Sequence, residues 1–266
     1  GHCEAQYSLG QKYTEDKSRH KDNEQAIFWL KKAALQGHTF ASNALGWTLD
    51  RGEAPNYKEA VVWYQIAAES GMSYAQNNLG WMYRNGNGVA KDYALAFFWY
   101  KQAALQGHSD AQNNLADLYE DGKGVAQNKT LAAFWYLKSA QQGNRHAQFQ
   151  IAWDYNAGEG VDQDYKQAMY WYLKAAAQES VGAYVNIGYM YKHGQGVEKD
   201  YQAAFEWFTK AAECNDATAW YNLAIMYHYG EGRPVDLRQA LDLYRKVQSS
   251  GTRDVSQEIR ETEDLL

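Results

Sequence analysis

The chain has 266 residues and a formal net charge of −6, with 26 Lys and Arg against 32 Asp and Glu. This acidic balance argues against a nucleic-acid partner, because binding along a phosphate backbone needs clustered basic residues that release counterions. The sequence also contains no uninterrupted apolar stretch long enough to cross a bilayer. We therefore expect no nucleic-acid partner and no membrane span.

One unit of about 36 residues repeats seven times. It opens with alanine, a hydrophobic residue, a small residue and usually a tyrosine at helical spacing, and it continues with Ala-x-x-Trp-Tyr-x-x-Ala-Ala. The fixed period is typical of stacked repeats, and each half predicts one amphipathic helix. The leading alanines are Ala5, Ala41, Ala75, Ala111, Ala147, Ala183 and Ala219.

The first helix of each repeat carries a small residue near its centre. Glycine inside a helix costs roughly 1 kcal/mol relative to alanine. Its recurrence therefore predicts a close contact between helices that offsets this cost. The residues at this position are Gly10, Gly46, Gly80, Ala116, Ala152, Gly188 and Ala224.

The second helix has recognisable start and stop signals. An Asp or Asn four residues before its first alanine predicts an N-cap, because its side chain can accept from free backbone N–H groups. A glycine after the helix predicts a left-handed residue, although Glu179 and Asn215 hold that place in two copies. The expected N-caps are Asp22, Asn56, Asp92, Asn128, Asp164, Asp200 and Asp236, and the expected glycines are Gly37, Gly71, Gly107, Gly143 and Gly251.

The first two connections between helices depart from the pattern. The third to sixth repeats join their helices with a Gly-x-Gly-Val turn, but polar residues replace it at 14–21 in the first repeat. The second repeat is two residues shorter than its neighbours. We expect these two loops to differ from the rest, with the greatest mobility at 16–20.

These motifs resemble the Sel-like repeat family, a variant of the tetratricopeptide repeat, over essentially the whole chain. The resemblance implies an all-α fold, a right-handed superhelical α/α solenoid of seven repeats over residues 1–254. Beyond the seventh copy Arg260 replaces the small residue and Glu263 the tyrosine. This degeneration predicts a C-terminal capping helix at 255–266 with a polar outer face.

The resemblance also implies a protein that binds other proteins as an adaptor or scaffold, often in bacteria. The sequence offers no nucleophile signature, no third glycine of a dinucleotide site and no pair of histidines spaced for a metal on one helix. We therefore expect no enzyme activity, cofactor or metal. Small-molecule or cell-wall-related binding, or a hydrolase activity as proposed for cysteine-rich relatives, is the alternative.

A binding face is predicted on the first helices, opposite their core positions. Aromatic residues recur six positions after the leading alanine and amides three positions after it, and together they suit an extended peptide. The alternative is that these side chains pack against the next repeat or bond neighbouring backbone. The candidates are Trp47, Asn78, Trp81, Asn114, Gln150, Trp153, Asn186, Tyr189 and Asn222, and Asp117 and Ile225 fill the aromatic position in two copies.

Partner, oligomeric state and compartment are expectations. We expect a monomer that binds a protein or peptide. Cys3 and Cys214 stand far apart and outside any repeated cysteine framework, which favours free thiols and the cytoplasm. A periplasmic or secreted location stays open, because the chain begins in the middle of the repeat pattern and we expect upstream sequence.

Overall fold

The structure is a computed structural model that describes residues 2–15, 22–52 and 54–266. In these residues the chain forms fifteen α-helices and no β-strand. Odd-numbered helices α1 to α13 are the first helices of the repeats, even-numbered helices α2 to α14 are the second, and α15 follows. Their bounds are α1 (Cys3–Glu15), α2 (Asn23–Ala34), α3 (Thr39–Asp50), α4 (Tyr57–Glu69), α5 (Ser73–Asn85), α6 (Tyr93–Leu105), α7 (Ser109–Asp121), α8 (Lys129–Gln141), α9 (Arg145–Ala157), α10 (Tyr165–Ala176), α11 (Val181–His193), α12 (Tyr201–Glu213), α13 (Ala217–Tyr229), α14 (Leu237–Ser250) and α15 (Ser256–Asp264).

The helices group into two compact units. The first unit, Gly1–Gln142, holds α1 to α8, and the second unit, Gly143–Leu266, holds α9 to α15. Within each unit a first helix packs on the second helix of its own repeat, and that second helix packs on the next first helix. The all-α fold predicted from the repeat, an α/α solenoid, is confirmed.

The close contact predicted at the small residue is confirmed. In the second repeat a Cβ built on Gly46 would lie 2.8 Å from the ring carbon Cδ1 of Tyr64 on α4. In the third repeat a Cβ on Gly80 would lie 2.7 Å from Cδ1 of Tyr100 on α6. Both rings are fully buried. In both repeats the aromatic ring of the second helix therefore occupies the space that a side chain on the first helix would need.

The predicted helix signals are confirmed as well. All seven Asp and Asn residues accept a hydrogen bond from a backbone N–H in the first turn of the second helix. The expected glycines have positive φ, and so do Glu179 and Asn215, each with φ of 61°. All seven copies therefore have a left-handed residue at this position, whichever residue stands there.

The second interhelical connection differs from its counterparts, as expected. The first helices α5, α7, α9, α11 and α13 end on a left-handed glycine, whereas α3 ends on Arg51 with φ of −117°. The first connection, where the greatest mobility was expected, lies at 16–20, outside the described residues.

Glu179 provides a test of the left-handed position. Its φ of 61° costs a side-chain-bearing residue about 1 to 2 kcal/mol. We expect Glu179→Gly to raise the midpoint of thermal unfolding modestly, since the more flexible unfolded chain offsets about 0.4 to 1 kcal/mol of that relief. Gly107→Glu, at the same position with φ of 89°, is expected to lower the midpoint. A lowered midpoint for Glu179→Gly would contradict this account.

The start of α7 depends on a neutral histidine. His108 Nδ1 accepts a hydrogen bond from the backbone N–H of Ala111 at 3.3 Å, and the ring packs edge-on against Tyr74 at 4.6 Å between centroids. Burial lowers the pKa of His108 from its usual 6.5, although Asp110 acts in the opposite direction. A protonated ring could not accept this bond, because both of its nitrogens would then be donors.

The lowered pKa predicts a loss of stability in mild acid. Below pH 6.5 the unfolded chain protonates His108 more readily than the folded chain does, so this contribution is present above pH 6.5 and is lost as the pH falls through the folded pKa. Asn can cap this helix as Asn144 caps α9. We therefore expect the unfolding midpoint of His108→Asn to fall less than that of the wild type between about pH 7.5 and about pH 5.5. Thermal unfolding followed by circular dichroism measures this, and equal drops would contradict it.

Candidate functional site

Two predicted aromatic residues are exposed on neighbouring first helices of the first unit. Trp47 on α3 is 39% exposed and Trp81 on α5 is 42% exposed. The predicted amides Asn78 and Asn114 are half-buried on α5 and α7. We call the surface formed by Trp47, Trp81 and Asn78 the first-helix face.

The amides are linked to one another across neighbouring first helices. Asn78 Nδ2 donates to Asn43 Oδ1 at 3.2 Å, and Asn114 Nδ2 donates to Asn77 Oδ1 at 3.0 Å. Each carboxamide has both donors and an acceptor, so one such bond uses only part of its capacity. The amides therefore connect the repeats and still present polar groups on the first-helix face.

An ion pair replaces the aromatic residue on α7. Arg84 Nη1 lies 3.0 Å from Asp117 Oδ2, and the Tyr136 hydroxyl donates to Asp117 Oδ1 at 2.9 Å. Asp117 holds the position that Trp47 and Trp81 hold in the preceding repeats. Within the first unit, a paired carboxylate on α7 therefore follows the two exposed indoles.

Two cavities lie along the first-helix face. One, of about 330 Å³, is lined by residues that include Tyr7 and Gln11 of α1 and Trp47 of α3. The other, which we call the Asp50 cavity, measures about 370 Å³ and lies between α3 and α5. Each cavity is lined by one exposed tryptophan. The lining of the Asp50 cavity is Asp50, Arg51, Asn77, Asn78 and Trp81.

Asp50 is the buried charge of this face. Its side chain is 8% exposed, and its Oδ2 accepts a hydrogen bond from the Tyr64 hydroxyl at 2.8 Å. Burial raises the pKa of Asp50, while the Tyr64 hydroxyl and the Arg51 charge act to lower it. The carboxylate and the neighbouring carboxamides give the cavity polar groups beside the apolar indole of Trp81.

The remaining predicted residues lie in the second unit. Trp153 is exposed on α9, and Gln150, Asn186 and Tyr189 are half-buried. Asn186 donates to the backbone oxygen of Gly182 within its own helix at 2.8 Å. The second unit thus has one exposed tryptophan at the predicted position.

Asn222 is a structural residue, which corrects its assignment to the binding face. It is 3% exposed, and its Nδ2 donates to the Tyr189 hydroxyl at 2.9 Å and to the Thr218 oxygen at 2.7 Å. A side chain held in this way does not reach a ligand. The alternative reading, that an amide satisfies neighbouring groups, applies at this position.

Sequence reasoning missed four residues of the first unit's site. Asn43 and Asn77 stand one residue before the predicted amide position, on the side of the helix that was identified as opposite the core, and this placement could have indicated them. Asp50 and Arg51 lie where the second repeat lacks the usual glycine turn. The missing turn predicted an unusual loop there, but the pattern did not show that an acid would be buried beside it.

The described residues contain no group of three or more His, Cys, Asp or Glu side chains that could hold a metal ion. Within the same residues no helix has the length and apolar character needed to span a membrane. The chemistry on the first-helix face is therefore that of indole rings, carboxamides, one buried carboxylate and arginine.

Paired helices in register, with small residues under buried rings, define the chain as an α/α solenoid. A family model described as the Sel1 repeat matches residues 3–38, 39–72, 73–108, 109–144, 145–180, 181–216 and 217–246. The chain belongs to the Sel1-repeat family, as its motifs suggested. Proteins of this family are generally non-catalytic scaffolds for protein interactions.

Two solved structures show the same fold at appreciable identity. One is a protective antigen of uropathogenic Escherichia coli strains with an SLR fold, similar at 36% identity and a TM-score of 0.87 over 94% of this chain and 54% of that chain. The other is a Sel1 repeat protein from Oxalobacter formigenes, at 32% identity and a TM-score of 0.74 over 80% of this chain and 86% of that chain. This chain therefore spans about half the length of the first of these proteins.

The contrast between Asn222 and Asn78 can be measured. Asn222→Ala removes two hydrogen bonds in a buried setting, so we expect it to lower the free energy of unfolding by about 1 to 3 kcal/mol. Asn78→Ala, at the more open position, is expected to cost less than about 1 kcal/mol. Urea unfolding of the two variants tests this. Equal losses would show that Asn78 is as structural as Asn222.

Proposed function

We propose that this chain is a non-catalytic scaffold that binds an extended peptide segment of a partner protein along α1, α3 and α5. The observation that carries the proposal is the pair of exposed indoles, Trp47 and Trp81, on successive first helices, each lining a cavity. The family's general role as an interaction scaffold supports it.

The physical argument rests on what the indoles and amides can offer together. Covering exposed apolar surface yields about 25 cal/mol per Å², and tryptophan is among the residues that contribute most to interfaces. An extended peptide also presents backbone N–H and C=O groups, and Asn43, Asn77 and Asn78 can bond either kind. The indoles and the amides together can therefore bind extended peptides of varied sequence.

The cavity chemistry favours binding over catalysis. Asp50 is the single acid that lines its cavity, and the other lining side chains are an arginine, two amides and an indole. Acid–base catalysis at such a site calls for a second titrating group placed against the substrate. The lining therefore suits recognition.

In the second unit, Trp153 with Gln150, Asn186 and Tyr189 forms a second candidate patch in the same proposal. Its single exposed tryptophan offers less apolar surface than Trp47 and Trp81 do together. We therefore place the principal contact in the first unit.

The test is selection of displayed random peptides of about 12 residues. At about 3.3 Å per residue an extended peptide of this size is longer than the roughly 20 Å expected between α1 and α5. We expect peptides to be enriched on the wild-type chain and to lose affinity at least about tenfold with Trp47→Ala/Trp81→Ala. Fluorescence anisotropy of labelled peptides measures the affinity.

The matched control replaces two exposed aromatics on second helices. Phe98 and Phe134 are each 48% exposed, on α6 and α8. Phe98→Ala/Phe134→Ala is expected to bind the selected peptides as the wild type does, and circular dichroism checks that both double variants stay folded. The proposal fails if no peptide is enriched, or if the control loses as much affinity as the tryptophan variant.

A further inference from the structure

The Asp50 cavity contains a buried acceptor that receives no hydrogen bond from the described part of the chain. Asp50 Oδ2 is held by the Tyr64 hydroxyl, but Oδ1 is buried without a hydrogen-bond partner in the described part of the chain. The nearest cation, Arg51 Nε, lies 3.6 Å from Oδ1. An unsatisfied buried acceptor is costly, so a ligand that donates a hydrogen bond at this oxygen gains more than it would at a solvated one.

The position of Arg51 indicates that the Asp50 carboxylate and the neighbouring indole bind a cationic group. Its guanidinium carbon lies 5.3 Å from the Trp47 ring centroid while its Nε faces the Asp50 carboxylate. Its side chain is exposed, and it is adjacent to Asp50 in sequence, so it lies at the rim of the cavity. The Arg51 guanidinium therefore lies near both a carboxylate and the face of an indole ring, as cations in protein sites commonly do.

Trp81 and Asn78 can extend the same recognition inside the cavity. The Trp81 ring lines the cavity and is 42% exposed. Asn78 also lines the cavity and donates its Nδ2 to Asn43, so its carbonyl oxygen keeps its capacity to accept a hydrogen bond. A cationic group placed there meets a carboxylate, a carbonyl oxygen and a π face, and each of these favours positive charge.

We propose that the Asp50 cavity selects an arginine or lysine side chain of the bound peptide, with Asp50 as its counterion, Trp81 as its stacking surface and Arg51 as the resident competitor that it displaces. This inference rests on the proposed function, because it names the side chain that the first-helix face prefers. It makes Asp50, Trp81 and Arg51 the residues that determine specificity.

The repeat does not keep a carboxylate at this position in every copy. The equivalent residue in the next repeat is Arg84, whose charge is taken by Asp117 at 3.0 Å. An acidic ligand group in the Asp50 cavity would meet the Asp50 carboxylate, and like charges at close range repel. The cavity therefore distinguishes basic from acidic peptides, whereas the neighbouring ion pair is already neutralised.

The experiment compares charge on the peptide with charge on the protein. Peptides enriched in the display selection are synthesised with each arginine replaced by citrulline and each lysine by acetyl-lysine, which keeps the number of residues and removes the positive charge of the side chain. We expect one basic position in each peptide to lose about tenfold affinity for the wild type. Asp50→Asn, which keeps a partner for the Tyr64 hydroxyl, is expected to bind the charged and neutral forms within about twofold of each other.

Arg51→Met gives a second, opposite readout. If Arg51 competes with the peptide's cation, its removal raises the affinity of basic peptides by about threefold. A loss of affinity in Arg51→Met would overturn the proposal, because it would mean that Arg51 itself binds an acidic group of the peptide.

The two proposals fail in different ways. Selection of peptides that depend on Trp47 and Trp81 but bind equally well with citrulline or acetyl-lysine overturns the cation site and leaves the scaffold function standing. An absence of enriched peptides overturns both. Circular dichroism of Asp50→Asn and Arg51→Met confirms that each variant keeps the helical fold before its affinity is interpreted.

Discussion

The contact between the small residue of a first helix and a buried side chain of its second helix, which is an aromatic ring at Gly46, Gly80 and Gly188, sets the position of both helices. At Gly188, for example, a Cβ would lie 2.7 Å from the Phe208 ring, as it would from Tyr100 at Gly80. Such an approach fixes the rotation of the first helix, because only one of its faces is narrow enough to accept the ring. The opposite face is then turned outward, and Trp47 and Trp81 lie on it.

Because the packing face is the same in every copy, differences among copies fall on the outward face. Trp47 and Trp81 are followed by Asp117 at the same position, and Asp50 is followed by Arg84. The repeat thus supplies a nearly constant support on which single substitutions change the surface chemistry. In repeat arrays, where each unit contacts only its neighbours, such changes cost the rest of the fold little.

The amide ladder connects structural and binding roles. Asn78 and Asn114 bond to Asn43 and Asn77, so they help to align successive first helices. Asn114 Oδ1 also accepts from Arg84 at 3.5 Å, whereas the carbonyl oxygen of Asn78 keeps its capacity to accept. Asn222 is an asparagine with a structural role, because both of its hydrogen bonds are made within the fold and its side chain is almost completely buried. An amide at this repeat position can therefore take part in packing, in ligand binding or in both, and the burial of its side chain decides which.

The sequence by itself determined the features that depend on local geometry, which are the helix pairs, the Asp and Asn caps, and the left-handed glycines after the second helices. These follow from backbone hydrogen bonding and helical periodicity, which a short stretch of chain specifies. Only the tertiary structure decided that Asn222 is buried, that Asp50 has a buried oxygen without a hydrogen bond in the cavity that Trp81 lines, and that the helices form two compact units. Those properties depend on how closely neighbouring repeats approach one another. A residue pattern indicates the face of the helix on which a side chain lies, but it does not give how deeply neighbouring elements bury that side chain.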